Sequence, residues 1–433
     1  MKQAPSPEGD ALTPVGYLPR VADRTVAERL GSVGAVLIEG PKGCGKTWAA
    51  LRHAASVVRF DADPTARRLA TVSPQAVLRG EAPRLLDEWQ LAPDVWNHVR
   101  HACDLSSEPG RFLLTGSAAP ADDITRHSGA GRIARVRLRP MSLFESGLSG
   151  GSVSLGDLLL SGMPETSEAG NTTFEDVIRA MCVGGWPWLL KQSPQIAGNR
   201  LREYLDEIRR LDVDGGNGRG RNPVLVEKLI LSLARNTATT APNSRLAHDA
   251  DSERPLNHQT VRAYLDALTR LFVLEDLPAW SPHLRSRGRL TKSAKRHLVD
   301  PSLATAALRA GPEALMADLA ACGLLFESLV VRDLRIYGDA NECDIYHCRL
   351  DNGVEADAIV RRRYSGEWIA VEAKLADNPD TVDAAAGSLL RFAGSVDTAR
   401  AGPPVALLVI TPAGYAYERP DGVIVAPITA LGP

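Results

Sequence analysis

"GPKGCGKT" (residues 40–47) follows directly on the apolar run "VGAVLIE" (33–39) and leads into the helical stretch "TWAALRHAA" (47–55). A strand, a glycine-rich loop and a helix are therefore expected in that order, and the loop fits G-x-x-x-x-G-K-[ST]. Gly40, Gly43 and Gly45 let the backbone curl so that successive N–H groups point at phosphate oxygens. Lys46 is placed to reach the β- and γ-phosphates, and the Thr47 hydroxyl to hold Mg²⁺. The helix beginning near Lys46 adds its positive end to the site. ATP with Mg²⁺ is the cofactor this stretch calls for.

Working outward, 433 residues are enough for two to four domains, each with its own core. The formal net charge is −2, so no global field draws the chain onto nucleic acid and any such contact must use a local patch. Its apolar runs fall short of the roughly 18 residues that span a bilayer, so no membrane is expected. The N-terminal "MKQAPSPEGDALTP" lacks the apolar core of a signal peptide. Six scattered cysteines, Cys44, Cys103, Cys182, Cys322, Cys343 and Cys348, suit reduced thiols and a cytoplasmic location. "CDIYHC" (343–348) alternates like a strand and lacks a zinc-site spacing.

From Val33 to Leu138, "VGAVLIE", "SVVRFD", "PRLLDEW", "RFLLTGS" and "RIARVRL" alternate with helical stretches, the pattern of a parallel sheet covered by helices. A nucleotide site that hydrolyses needs a second half, and "RLLDEW" supplies it. Asp87 ends a buried strand where it can hold the Mg²⁺ shell, and Glu88 follows where a carboxylate can polarise the attacking water. Thr115 and Ser117, at the tip of "RFLLTGS", are placed between Glu88 and the γ-phosphate. The extra strand "SVVRFD" suits the ATPases that use such an adjacent glutamate.

Taken in order, "GPKGCGKT", "PRLLDEWQLAP", "LLTGSA", "HSGAGRIARVRLRPMSLFESG" and "LFESLVVRDL…VEADAIV…WIAVEAKL" resemble a family of prokaryotic AAA-type ATPases that carry a C-terminal domain of unknown function 4143. The resemblance runs from about Tyr17 to Ile428. It implies an α/β fold with an AAA-like P-loop ATPase core, a winged-helix segment and a C-terminal domain similar to restriction endonucleases, of the PD-(D/E)xK nuclease-like kind. The boundaries expected are a tail over 1–15, the ATPase domain over 16–165, a helical and winged-helix segment over 166–305 and the nuclease-like domain over 306–433. AAA-like proteins place an arginine from one subunit at the γ-phosphate of the next, which implies a homo-oligomer. Arg126, Arg132, Arg135, Arg137 and Arg139 are candidates. Arg132, which matches the family's Gly-Arg, is the choice, while alternation puts the last three on one solvated strand face.

Between Leu225 and Leu274 three helical stretches recur, with "NHQTVRAYLDAL" in the recognition-helix position of a winged helix. Asn257, His258, Gln259 and Arg262 would there face phosphates or bases, although such folds also serve as protein–protein spacers. Downstream, "RSRGRLTKSAKRH" offers Arg285, Arg287, Arg289, Lys292, Lys295 and Arg296 as a phosphate-backbone track.

In the last part, Glu355 and Asp357 share one strand face, and so do Glu372 and Lys374 of "EWIAVEAKL". An aspartate, then Glu-x-Lys on the adjacent strand, is an arrangement of metal-dependent phosphodiester cleavage, with Mg²⁺ or Mn²⁺ on the acids and the lysine polarising the nucleophile. By the family resemblance, Glu327 on the helix "LLFESLVVRDL" completes the metal set with Asp357 and Glu372. The function expected is ATP hydrolysis, with Lys46, Glu88, Thr115 and Arg132 catalytic at one site and Lys374 at the other, acting on DNA or RNA. The rival is a nucleotide-gated scaffold or remodeller of a protein partner, of toxin–antitoxin type, that cuts nothing.

Overall fold

Each of the five apolar stretches of the N-terminal region becomes a strand of one parallel sheet. They are β1 (Ala35–Glu39), β2 (Ser56–Arg59), β3 (Arg84–Asp87), β4 (Phe112–Gly116) and β5 (Ile133–Arg137), in the order β2-β3-β4-β1-β5. Runs such as "AVLI" and "FLLT" are buried throughout, as strands covered on both faces must be. The helices that return the chain are α1 (Ala22–Leu30), α2 (Lys46–His53), α3 (Pro64–Val72) and α4 (Val95–Leu105). Asp63 caps α3 by accepting from the N–H groups of Thr65 and Ala66, with Pro64 at the first turn. One core gathers Leu37, Leu86, Leu114 and Val99 with Trp89 and Trp96, whose rings lie 4.8 Å apart.

The computed structural model describes residues 12–117, 129–160, 167–168, 172–211, 222–252, 255–281 and 293–433. They form two compact units. The first runs to Arg139 and includes Arg270–Phe272; the second takes Pro140–Thr269 and Val273–Pro433. The division departs from the expected ATPase boundary at 165. Residues beyond Pro140 belong to the second unit because their partners are there. Leu143 N–H donates to Asp333, Gly150 N–H to the Thr429 carbonyl, and β6 (Val153–Ser154) pairs with the chain's last strand. The helical segment and the C-terminal domain, expected to part at 305, also share this unit.

Within the second unit, α5 (Phe174–Val183) starts from a capping box of Thr173 and Asp176. It is followed by α6 (Pro194–Leu211), α7 (Pro223–Arg235), α8 (Asn243–Ala250) and α9 (His258–Arg270). Antiparallel bridges Leu274–Leu298 and Leu277–Lys295 come next, then α10 (Pro301–Leu308) and the long α11 (Leu319–Ala340). A seven-stranded mixed sheet completes the unit. Its strands are β7 (Ser167–Glu168), β8 (Cys343–Arg349), β9 (Glu355–Arg362), β10 (Trp368–Ala373), β11 (Ala406–Thr411), β12 (Tyr415–Glu418) and β13 (Val423–Pro427). Their order is β7-β12-β13-β11-β10-β9-β8, and β14 (Leu431–Gly432) pairs with β6. Helix α12 (Pro379–Ser395) covers one sheet face through Val382, Leu389 and Phe392. "CDIYHC" is strand β8, as its alternation predicts. Arg126, Arg285, Arg287, Arg289 and Lys292 lie outside the described residues.

Candidate functional site

The sheet order puts β4 between β1 and β3, so the loop after β1 and the carboxylates after β3 emerge at one end of the sheet. Gly43 and Gly45 have φ of 82° and 100°, where a side chain would strain the backbone. A Cβ on Gly40 would lie 2.0 Å from the Leu138 carbonyl oxygen. These constraints explain all three glycines. Lys46 is buried and its Nζ donates to the Pro41 carbonyl at 2.8 Å, so the ammonium is folded back over its own loop. Arg20 braces the loop from below, donating to the carbonyls of Cys44 (2.8 Å) and Arg139 (2.7 Å). No local motif marks Arg20.

The two halves of the site meet. Thr47 Oγ1 donates to Asp87 Oδ1 at 2.9 Å, and Thr115 Oγ1 donates to the same oxygen at 2.5 Å. Burial pushes the Asp87 carboxyl above its usual range, while these two hydroxyls pull it back. A hydroxyl and a buried carboxylate converging beside Lys46 suit Mg²⁺ with a triphosphate, so the residues present fit that cofactor. The sequence places Thr115 between Glu88 and the γ-phosphate. Its hydroxyl is instead fully buried, spent on Asp87 and on accepting the Glu88 N–H at 3.1 Å. Ser117 is the residue that grips the Glu88 side chain, donating to its two oxygens at 3.0 and 3.2 Å, and Gln90 Nε2 donates to Oε2. Glu88 itself has φ 54° and ψ 49°, a left-handed conformation that costs a glutamate about 1–3 kcal/mol and recurs at functional sites. Neither Gln90 nor this backbone was legible in the sequence.

Arg132 precedes β5, and its carbonyl accepts from Ala35 at the start of β1. It therefore sits at the opposite end of the sheet from the phosphate loop, about 15 Å away at the rise of a five-residue strand. It is exposed and donates to Asp104 at 2.7 Å. Arg135 and Arg137 reach Glu39 from the edge strand, at 2.8 and 3.7 Å. Arg139 is buried rather than solvated.

A second constellation lies in the other unit. Strands β9 and β10 pair antiparallel with Ala358 opposite Val371, which brings Asp357 beside Glu372, and the Ala373 N–H donates to Asp357 Oδ2 at 3.0 Å. Lys374 Nζ donates to Glu372 Oε1 at 2.8 Å. Glu327, expected off the apolar stripe of its helix, is buried, as are most residues of α11. Its partner is Lys295, which the sequence puts on an exposed basic track. Lys295 Nζ lies 2.7 Å from Glu327, 2.9 Å from Glu355 and 3.5 Å from Asp357, and its side chain is only 5% exposed. Arg296, the other described member of that track, pairs with Asp276. Glu355, Asp357, Glu372, Glu327 and Lys295 line a cavity of about 590 Å³.

Burial, together with neighbouring Asp357, pushes Glu327 up to about 8 and Glu372 up to about 7. A raised carboxyl pKa means that the folded state holds its proton more tightly than the unfolded chain does. Stability from these two groups is then greatest below pH ~4.5 and falls as pH rises through 7 to 8. Glu372→Gln protein should therefore show a flatter fall of melting temperature between pH 5 and 8 than the wild type. An unchanged slope in thermal melts would assign the proton elsewhere. Among the described residues, no group of three or more His, Cys, Asp or Glu side chains is arranged to hold a metal ion. Mg²⁺ does not fit the C-terminal acids as they stand, because an ammonium is already among them.

On α9, His258, Gln259 and Arg262 are exposed. Asn257 is committed to the helix instead, its Oδ1 accepting from Thr260 N–H at 2.7 Å as a cap does.

Three stretches of the chain match known families. Residues 32–146 match the AAA domain family, 174–314 a domain of unknown function (DUF8612) and 322–431 the domain of unknown function DUF4143. The chain thus joins an AAA domain to a C-terminal DUF4143 domain, and the resemblance drawn from the motifs is borne out. It is 23% identical over 398 residues to "uncharacterized" proteins of Mycobacterium tuberculosis and Mycobacterium bovis, covering 90% of this chain and 79% of each relative. Among solved structures, a Walker-type ATPase of Pyrococcus abyssi aligns at TM-score 0.41 and 14% identity, over 66% of this chain and 94% of that one. The replication initiator DnaA, bound to AMPPCP and single-stranded DNA, aligns at TM-score 0.27 and 15% identity, over 61% and 89%. No helix among the described residues is long and apolar enough to cross a membrane.

Proposed function

We propose that the chain hydrolyses ATP at the end of its parallel sheet and uses the resulting change of state to act on a partner held by the second unit. The observation that carries this reading is the meeting of Thr47 with Asp87, two residues 40 apart in sequence and 2.9 Å apart in space. The loop amides and Lys46 bind the phosphates. Mg²⁺, held by Thr47 and Asp87, would supply charge neutralisation on the phosphate oxygens. Glu88, oriented by Ser117 and Gln90, takes the proton of the attacking water. In Lys46→Ala protein the phosphates lose a charge-assisted hydrogen bond of about 1.5–3 kcal/mol, so calorimetry should find ATP affinity weakened roughly 10- to 100-fold. Unweakened binding would remove the phosphate loop from the site.

Arg132 enters this scheme only from a second copy of the chain, since its own phosphate loop lies at the far end of the sheet. Arg132→Ala protein should then bind ATP normally and hydrolyse it poorly. Mixing it with Lys46→Ala protein should restore part of the rate, because each variant supplies what the other lacks. A mixture no faster than its parts would argue for a catalytic site complete within one chain.

For the second unit, the leading reading is a nucleic-acid partner met by a winged helix formed by α7, α8 and α9, with the C-terminal domain nuclease-like in its arrangement of acids and lysine. The other reading is a scaffold or protein remodeller that cuts nothing. The position of Lys295 among the acids favours the second for the C-terminal domain. Incubating the protein with single- and double-stranded DNA and RNA, with ATP and Mg²⁺ or Mn²⁺, separates the two. Cleavage products that vanish in Lys374→Ala protein support the first, and binding without products the second.

A further inference from the structure

Four carboxylates, Glu327, Glu355, Asp357 and Glu372, converge on one cavity wall with two lysines between them. Such a cluster repels itself unless something positive sits inside it. Lys295 comes from the stretch after α9, where its backbone exchanges both hydrogen bonds with Leu277, at 2.8 and 2.9 Å. The next residue is anchored by the Arg296–Asp276 pair. The ammonium is thereby delivered from a fixed backbone into the centre of three carboxylates contributed by α11 and β9. It faces Glu327, Glu355 and Asp357, while Lys374 serves Glu372 from the other side.

We propose that Lys295 is the resident cation of this cluster, taking the place a divalent ion would need, so that the domain holds its acids together without metal. Six ionisable groups then carry a formal charge of −2 if all are ionised (four acids, two lysines). Metal could enter only if Lys295 withdrew, and that would leave a buried ammonium to be re-solvated or re-paired.

The test is metal binding, read independently of ATP hydrolysis. Nucleotide-free full-length protein is titrated with Mn²⁺, free ion being followed by electron paramagnetic resonance, in wild-type, Asp357→Asn, Lys295→Met and Lys295→Met/Asp357→Asn forms. Wild-type and Asp357→Asn proteins should bind equal amounts of Mn²⁺ up to about 1 mM, the weak end of carboxylate sites. Lys295→Met protein should gain one ion with at least tenfold higher affinity, and the added Asp357→Asn change should remove it. Wild-type protein that binds one Mn²⁺ more than Asp357→Asn protein overturns the proposal. So does a folded Lys295→Met protein that binds no more than the wild type. Should circular dichroism show Lys295→Met unfolded, the comparison of wild-type with Asp357→Asn protein decides alone.

Discussion

Glu88→Gln protein should bind ATP as the wild type does and turn it over ~10²-fold or more slowly, the usual loss when a general base is removed. The separation of binding from turnover follows from the geometry. Thr47, Asp87 and Lys46 hold their positions through contacts that do not involve the Glu88 side chain. The Glu88 backbone is fixed by its N–H bond to Thr115, which glutamine keeps. A glutamine is also no worse than a glutamate in the left-handed conformation at this position. Its amide oxygen can still accept from Gln90, and the Ser117 hydroxyl can rotate to accept from the new NH₂ group. What disappears is the basicity. Steady-state phosphate release beside a calorimetric ATP titration makes the comparison, and a Glu88→Gln enzyme within about threefold of the wild-type rate would move the base elsewhere. Ser117 offers a graded version, since Ser117→Ala leaves the base present and only loosely aimed.

The nucleotide half of the molecule was legible because its signals are local. Each strand is a short buried run, and the chemistry stands at the strand ends in two motifs whose residues are neighbours in sequence. The details that escaped depend on partners from other strands. Thr115 serves Asp87 rather than the phosphates, since register alone decides which hydroxyl of "TGS" points inward. The C-terminal cluster shows the limit more sharply. Glu372 and Lys374 share a face by simple alternation, and so do Glu355 and Asp357. Lys295, embedded in a run of basic residues, reads as solvated. It is buried by acids 32, 60 and 62 residues further along (327 − 295, 355 − 295 and 357 − 295), and no pattern within its own stretch announces them. The division after Arg139, ahead of the expected 165, has the same cause, since Val153 pairs with Leu431 at the far end of the chain.

The most consequential distant partnership of this kind is the ion cluster around Arg332, and it sets the second large effect. Arg332 Nη1 lies 2.8 Å from Asp300 Oδ2, and its Nη2 2.7 Å from Asp333 Oδ1, with all three side chains at most 2% exposed. Each acid has further work. Asp300 accepts from the N–H groups of Gly185 and Ser302, which caps α10, and Asp333 accepts from Leu143 N–H. Helix α11 is thereby tied to the segment after Pro140 and to the turn after α5. Removing the guanidinium leaves two carboxylates buried without their cation, and that penalty exceeds the worth of the pair itself. Arg332→Met should therefore destabilise the second unit by about 3–5 kcal/mol, although methionine fills a similar volume. Arg332→Lys should fall between, because a single ammonium cannot reach Asp300 and Asp333 from the two separate positions that Nη1 and Nε of the guanidinium occupy. Urea unfolding followed by circular dichroism makes the measurement. The same denaturant midpoint for Arg332→Met and wild-type protein would mean that the two acids take up protons at no cost, and that the cluster contributes alignment rather than stability.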